Sequence, residues 1–249
     1  TDVDCRVQSG WIAAMARYFC SATDYIIGHS KVKSGNTLLN LFQSLDYFLL
    51  LISARGAANL RYPLACTGQN QAYRKSLYKK VGGFSKIINQ IQGDDTLFMN
   101  LCRQWGKTVI VFVDDLPSQV IARQEKTWIS LLNQRLRWSG DANIMWRVNV
   151  GFYVLILGYF LLHLSFVSLF CISILHPFYF TVLVKLLIIK FILEFILYFS
   201  GSLQLNQPLH FIGFILWFFI NIPFIVVMGL GSFFAKKISW KGRKLRLSS

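Results

Sequence analysis

Residues Val150–Leu175 read VGFYVLILGYFLLHLSFVSLFCISIL, 26 residues without a Lys, Arg, Asp or Glu. As a helix the stretch is about 39 Å long against a hydrocarbon core of about 30 Å, so it spans a bilayer with tilt. Its surroundings divide the chain between two solvents. Charged residues number 28 in residues 1–147, three in 148–235 (Lys185, Lys190, Glu194) and six, all basic, in 236–249. The reading is a polar domain, a membrane domain and a basic tail, in that order.

Two further apolar segments follow. Phe178–Ser200 is long enough to cross but carries Lys185, Lys190 and Glu194, each costly at mid-bilayer unless paired or turned toward protein or water. Lys190 and Glu194 are four apart and can pair on one helix face. Leu209–Ala235 is uncharged and interrupted at Asn221-Ile222-Pro223, consistent with one kinked span or a re-entrant hairpin. Three full crossings from a cytoplasmic domain would put the basic tail outside, against the positive-inside rule. One of the last two segments is therefore expected not to cross fully.

The net charges of the three parts, +8, +1 and +6, place much of the basic excess beside the membrane. Anionic headgroups explain that placement, and nucleic-acid binding does not. The cysteines Cys5, Cys20, Cys66, Cys102 and Cys171 are odd in number and lack CxxC spacing, which argues against a disulfide framework or zinc site and for a reduced, cytoplasm-facing domain. The chain opens with Thr1 and has no signal-peptide pattern, so it is expected to begin in mid-domain.

Within residues 1–147, Tyr25–Val32 (YIIGHSKV), Tyr62–Thr67 (YPLACT) and Thr108–Val113 (TVIVFV) are predicted strands. Gly10–Cys20, Thr37–Ala54, Asp95–Trp105 and Thr127–Met145 have the apolar periodicity of amphipathic helices. Their alternation predicts the α/β class.

Four short stretches carry candidate chemistry. Asp2 and Asp4 form a D-x-D pair, the smallest arrangement that offers two hard oxygen ligands to one divalent cation; the alternative is a turn or cap. Thr67-Gly68-Gln69-Asn70-Gln71-Ala72-Tyr73-Arg74, with Val81-Gly82-Gly83-Phe84 after it, has glycines that let backbone approach a ligand, or it is a strand-to-helix turn. Gly68 and Asn70 are its candidate substrate contacts. Gly93-Asp94-Asp95 starts a helix, where one carboxylate serves as an N-cap or, with its pKa raised by burial and a like charge, as a general base. Asp95 is the expected base and Asp94 its orienting neighbour. In Gln134-Arg135-Leu136-Arg137-Trp138 the arginine forks suit phosphate oxygens and the indole suits a sugar face; membrane-interface anchoring is equally consistent.

Taken in order (TDVDC, TGQNQAYR with VGGF, GDD, QRLRW, apolar spans, then Trp240-Lys241-Gly242-Arg243), the chain resembles the membrane-bound family 2 glycosyltransferases. That group is similar to cellulose and hyaluronan synthases, ceramide glucosyltransferases and bacterial carotenoid glycosyltransferases. The resemblance runs from Thr1 to Trp138 and more loosely to Arg243, with QRLRW its most specific element. It implies a GT-A type α/β domain on the cytoplasmic face of a multi-pass membrane protein, of which residues 1–147 are the carboxy-terminal part. It also implies inverting transfer from a nucleotide-diphospho-sugar with Mg2+ or Mn2+ as cofactor. Asp2 and Asp4 match the metal and diphosphate pair, and Asp95 matches the base. Gln134, Arg137 and Trp138 match the segment that contacts diphosphate and acceptor sugar. Asp94 stands where the family usually has Glu. A uridine-binding half precedes the D-x-D in the family, so the chain is expected to be part of a longer protein and inactive alone.

The short apolar block favours a single transfer to a lipid acceptor. A processive polysaccharide synthase is the alternative, and few polar residues are available to line its channel. A multi-pass membrane protein without catalysis is the third reading.

Overall fold

A computed structural model describes residues 1–19, 22–33, 35–88, 93–142, 144–234, 237–240 and 243–246. Cys20, Lys241 and Gly242, on which sequence expectations fall, lie outside the described residues. Helix outweighs strand, and the strands gather in three small sheets.

The amino-terminal half contains β1 (Arg6–Val7), α1 (Trp11–Arg17), β2 (Tyr25–Gly28), β3 (Ser30–Val32), α2 (Leu38–Asn59), β4 (Gln71–Tyr73), α3 (Lys75–Val81), α4 (Thr96–Gln104), β5 (Ile110–Val113) and β6 (Val120–Ala122). One sheet has the order β4-β2-β5, with β4 antiparallel and β5 parallel to β2. The second has the order β1-β6-β3. The predicted strand Tyr25–Val32 is divided at His29, whose N–H donates to the Val113 carbonyl at 2.8 Å and whose carbonyl accepts from Val120 N–H at 3.2 Å. The chain thereby passes from one sheet into the other. Tyr25, Ile26 and Ile27 are fully buried. Tyr25 and Ile27 pack on Leu77, Phe98 and Met99, while Ile26 packs on Met15 and Val113. Burial on both faces explains why this strand reads as a continuous apolar run.

The expected strand at Tyr62–Thr67 is not one. That segment lies against α4, whose side chains take its polar backbone groups: Asn100 Nδ2 donates to the Leu64 carbonyl at 3.1 Å, and Thr96 Oγ1 donates to the Cys66 carbonyl at 2.9 Å. With those groups satisfied, no ladder partner is needed. The strand forms instead at Gln71–Tyr73, directly after the Thr67–Asn70 turn.

The carboxy-terminal half is helical until its end: α5 (Trp128–Ala142), α6 (Met145–Val148), α7 (Val150–Leu175), α8 (Pro177–Gln204) and α9 (Phe211–Phe234), then the hairpin β7 (Lys237–Trp240) and β8 (Arg243–Arg246). Asn149 caps α7 by accepting from Phe152 N–H at 3.1 Å. Its amide donates to Asn100 Oδ1 at 2.8 Å, which ties the apolar helix to α4. Pro177 starts α8, where its missing N–H costs nothing.

Among the described residues, two helices, Val150–Leu175 and Phe211–Ser232, are long and apolar enough to cross a membrane. They differ in surroundings: 11% of the apolar window of α7 is buried, against 50% for α9. The last segment is one continuous helix containing Pro223, with no hairpin. Gly213, near its start, adjoins Leu41 and Leu45 of α2, and Gly231, near its end, adjoins Leu136 of α5. Both ends of α9 therefore lie against helices of the polar half, with the α7–α8 hairpin on its other side. Phe42, Leu45, Phe166, Leu183, Phe214 and Phe218 join the layers in one core.

Candidate active site

A cleft of 1420 Å³ opens where the two halves meet, lined from α2, α5, α7, α8 and α9 as well as from the loops of the polar half. Nine of the ten residues singled out from the sequence line it: Asp2, Asp4, Gly68, Asp94, Asp95, Gln134, Arg135, Arg137 and Trp138. Asn70 does not. It is fully buried. Its amide donates to the carbonyls of His29 at 2.7 Å and Ser118 at 2.8 Å, and its oxygen accepts from Trp11 Nε1 at 3.1 Å. Asn70 holds the two sheets together beneath the loop that presents Gly68.

Asp95 is the N-cap of α4, so the capping and the cleft-facing readings apply to the same residue. Gly93 precedes it with φ +131, a conformation that L side chains rarely adopt, and turns the chain so that α4 can begin. Asp95 Oδ1 accepts from Thr96 N–H at 2.5 Å and Oδ2 from Gly68 N–H at 3.3 Å. Two of its four lone pairs are thus engaged and the others remain. Burial raises the Asp95 carboxyl above its ordinary range, and the neighbouring Asp94 charge adds to this; the backbone N–H groups of Thr96, Gly68 and Asp95 itself act in the opposite direction, and burial prevails. Asp94 itself is exposed, and its backbone carbonyl accepts from Gln71 Nε2 at 3.0 Å.

Gly68 lies between the D-x-D and the GDD stretch. A methyl added there would sit 3.7 Å from Asp2 Oδ1 and 3.8 Å from Asp95 Oδ2, so the two carboxylates share the floor of one site. Ligand atoms of Asp2, Asp4 and Cys5 lie within 4.8 Å of one another. Burial, then the Asp4 and Asp94 charges, raise the Asp2 carboxyl, while Arg137 works against that rise. Carboxylates crowded in this way fit a divalent cation, which relieves their repulsion. Cys5 is pushed up to about 11, chiefly by burial and then by Asp2 and Asp4, and stays a thiol near neutrality, which leaves the two aspartates as the hard ligands.

The helix α5 presents the QRLRW stretch in two ways. Arg135 is buried and paired with Asp46 of α2 at 2.7 Å, and its guanidinium lies 4.1 Å from the centroid of the Trp138 ring. Its charge is neutralised and it positions the indole. Arg137 is half-buried on the same helix, near enough to Asp2 to influence its proton affinity. Gln134 Nε2 donates to Glu125 Oε1 at 3.1 Å. The segment that leads into α5 is held by α2: Gln43 Nε2 donates to the Glu125 carbonyl at 3.2 Å and Gln43 Oε1 accepts from Glu125 N–H at 2.9 Å.

Sequence reasoning missed Asp46, Tyr47 and Glu125, which lie outside the four stretches. Tyr47 lines the cleft between Gln69, to which its hydroxyl donates at 2.7 Å, and Trp138, whose ring centroid is 6.3 Å away. A polar residue on the apolar face of a predicted helix was the available signal for Asp46 and Tyr47. Farther along the cleft are Tyr159 of α7, Glu194 of α8 and Trp217 of α9; of these, Glu194 was already conspicuous as a charge within an apolar segment.

One family model, described as glycosyl transferase family 21, matches the chain over residues 1–249. No curated protein matches it.

Proposed function

The chain belongs to glycosyl transferase family 21 and is a glycosyltransferase; from that premise we propose that it transfers a sugar, with inversion, from a nucleotide-diphospho-sugar to a hydroxyl of a membrane lipid. The observation that carries this reading is the single cleft joining Asp2, Asp4, Asp95 and Trp138 to the apolar helices. Such a cleft suits an acceptor with a polar head at the carboxylates and a hydrocarbon body between α7 and α9.

Asp95 takes the proton of the acceptor hydroxyl as its oxygen attacks the anomeric carbon from the side opposite the departing diphosphate. A base with a raised pKa is better matched to that task than an ordinary surface carboxylate. Asp2 and Asp4 hold the divalent cation, Mg2+ or Mn2+, which supplies charge neutralisation at the diphosphate when bound. Arg137 adds a fixed positive charge on the same side, and Trp138, steadied by Arg135 and Tyr47, offers its face to the sugar. A GT-A type domain on the cytoplasmic face of the membrane accommodates all of these roles.

In the same reading α7 and α8 cross the bilayer as a hairpin and α9 lies beneath the polar half. The basic tail then stays on the side of Asp95, as the positive-inside rule expects. Cysteine introduced at Ser248 should label from the cytoplasmic face, and labelling from the outer face would overturn the topology.

The function is tested with the full-length protein in membranes, using radiolabelled sugar nucleotides and lipid extraction. One lipid-soluble product, lost on chelation and restored by Mg2+ or Mn2+, is the expected result. A ladder of water-soluble products would favour the processive synthase instead, and transfer that survives chelation would remove the cation from the site.

A further inference from the structure

The surface around the base of α7 is made by three separate pieces of the polar half. Tyr62, just past the end of α2, donates through its hydroxyl to Asn149 Oδ1 at 3.1 Å, and the same hydroxyl lies against Gly151. Gln104, the last residue of α4, donates from Nε2 to the Val148 carbonyl at 2.5 Å. The Arg103 guanidinium lies 4.5 Å from the Tyr62 ring centroid, and that of Arg147 lies 4.7 Å from the Trp146 ring centroid. The ends of α2 and α4 thereby meet α6 where the apolar helix begins.

This surface is apolar, aromatic and basic at once. Leu60 is 82% exposed, and Trp105 and Trp146 are each more than half exposed. Residues 59–62, 103–107 and 145–150 contain Arg61, Arg103, Lys107 and Arg147 but no Asp or Glu. None of these four cations pairs with a carboxylate among the described residues. Arg103 Nε, although buried, has no hydrogen-bond partner among them. Aromatic rings and uncompensated cations beside an apolar span are the composition of a membrane–water interface.

Arg61 gives an independent sign. The helix α2 ends in a Schellman turn, in which Tyr62 N–H donates to the Ala57 carbonyl and Arg61 N–H to the Ala58 carbonyl, both at 2.9 Å. Arg61 occupies the left-handed position of that turn, at φ +59, where glycine is usual. A strained arginine is thus held at a tip, next to an exposed leucine, with no carboxylate to answer it.

We infer that the polar half has its own footprint on an anionic bilayer surface, formed by Leu60, Arg61, Tyr62, Trp105, Trp146 and Arg147. The leucine and the rings enter the headgroup layer, and the cations meet lipid phosphates and acidic headgroups. The helix α4 then acts as a strut: it has Asp95 at its N-cap and Trp105 at its C-cap, with a rise of about 15 Å between them. The footprint thereby fixes how far the proposed base stands from the bilayer. The inference rests on the reading above that α7 crosses the membrane and adds a lipid-surface contact to it.

The test uses the full-length protein in vesicles of phosphatidylcholine, with and without phosphatidylglycerol. A fluorescent amino acid is encoded at Leu60, Trp105, Ile12 or Leu161, one position at a time. Ile12 is an exposed apolar residue of α1, on the opposite face of the sheet from α4, and Leu161 lies midway along α7. Nitroxide lipids, labelled at the headgroup or along the acyl chain, are the quenchers. Headgroup nitroxide should quench Leu60 and Trp105, more strongly with phosphatidylglycerol present, and should leave Ile12 unquenched. Arg61→Gly combined with Arg147→Gln should lower that quenching to the level seen without phosphatidylglycerol and keep Tm, since glycine suits the turn. Equal quenching at Leu60, Trp105 and Ile12 overturns the inference, as does quenching indifferent to both phosphatidylglycerol and the substitutions. Shielding of Leu60 and Trp105 from aqueous iodide without lipid quenching also overturns it and assigns the face to a protein partner. If Leu161 escapes the acyl-chain nitroxide, the reading of α7 as a span fails, and the inference with it.

Discussion

The two ends of the cleft meet in one cavity and are built on opposite principles. The outer end, around Asp2, Asp4, Asp94 and Asp95, gathers like charges on loops and at one helix N-terminus, where solvent and a cation can stabilise them. The inner end, around Tyr159, Glu194 and Trp217, places a few polar groups among phenylalanines and pairs its one cation with its one carboxylate at 2.6 Å. In the proposed function, charge is concentrated where a diphosphate would leave and neutralised where hydrocarbon would lie. The comparison teaches that position along the cleft sets the use of each polar group.

The largest effect should come from the outer end. Asp95→Asn keeps the helix cap, since Asn caps as well as Asp, and removes the proposed base. Transfer should fall about 10²–10⁴-fold with little change in Tm, measured with radiolabelled donor. A variant that transfers normally removes Asp95 from catalysis. In the parent protein kcat/KM should rise with pH until Asp95 is ionised, and because its carboxyl is raised by burial, that acid limb should lie above the ordinary carboxylate value of about 4. A limb at or below that value would mean that another group sets it.

Arg135→Ala probes the layer between the two ends. It leaves Asp46 buried without a partner, and such losses cost about 3–5 kcal/mol. Thermal denaturation should show a clear fall in Tm, whereas Arg137→Ala should lower transfer with a smaller change in Tm. The reverse outcome would exchange the roles assigned to the two arginines.

Gly229→Ala acts on the inner end. A methyl there would collide with the Phe160 ring, so α9 must move away from α7 at a cost of about 1–3 kcal/mol. Lipid binding should weaken while donor binding is kept; loss of both would show that the ends are not independent. The smallest effect is expected for Tyr62→Phe, which removes the 3.1 Å bond to Asn149 Oδ1 at the start of α7 and should cost about 1 kcal/mol in urea denaturation with no change in donor affinity.

The apolar helix Val150–Leu175 was legible to the residue, because an uncharged run bounded by Asn149 and by His176-Pro177 leaves few alternatives. The helix Asp95–Trp105 was legible to within its caps for a similar reason: the GDD turn starts it and Gly106 follows its end. Tyr62–Thr67 was misread since strand propensity is indifferent to what a neighbouring helix offers, and here Thr96 and Asn100 bind the backbone first. Asn70 and Arg135 show the same limit from the side of function. Residue type says what each can bind, yet burial decided that Asn70 joins two sheets and that Arg135 answers Asp46.

By itself the sequence determined the partition between polar and apolar halves, the helical periods and the inventory of carboxylates, since these follow from local composition and spacing. Only the tertiary structure decided which carboxylates share a floor, that α9 returns both its ends to the polar half, and that Trp217 faces the same cleft as Asp95. Those are relations between residues distant along the chain, fixed by how apolar faces pack and by which buried polar groups find partners, and no local pattern encodes them.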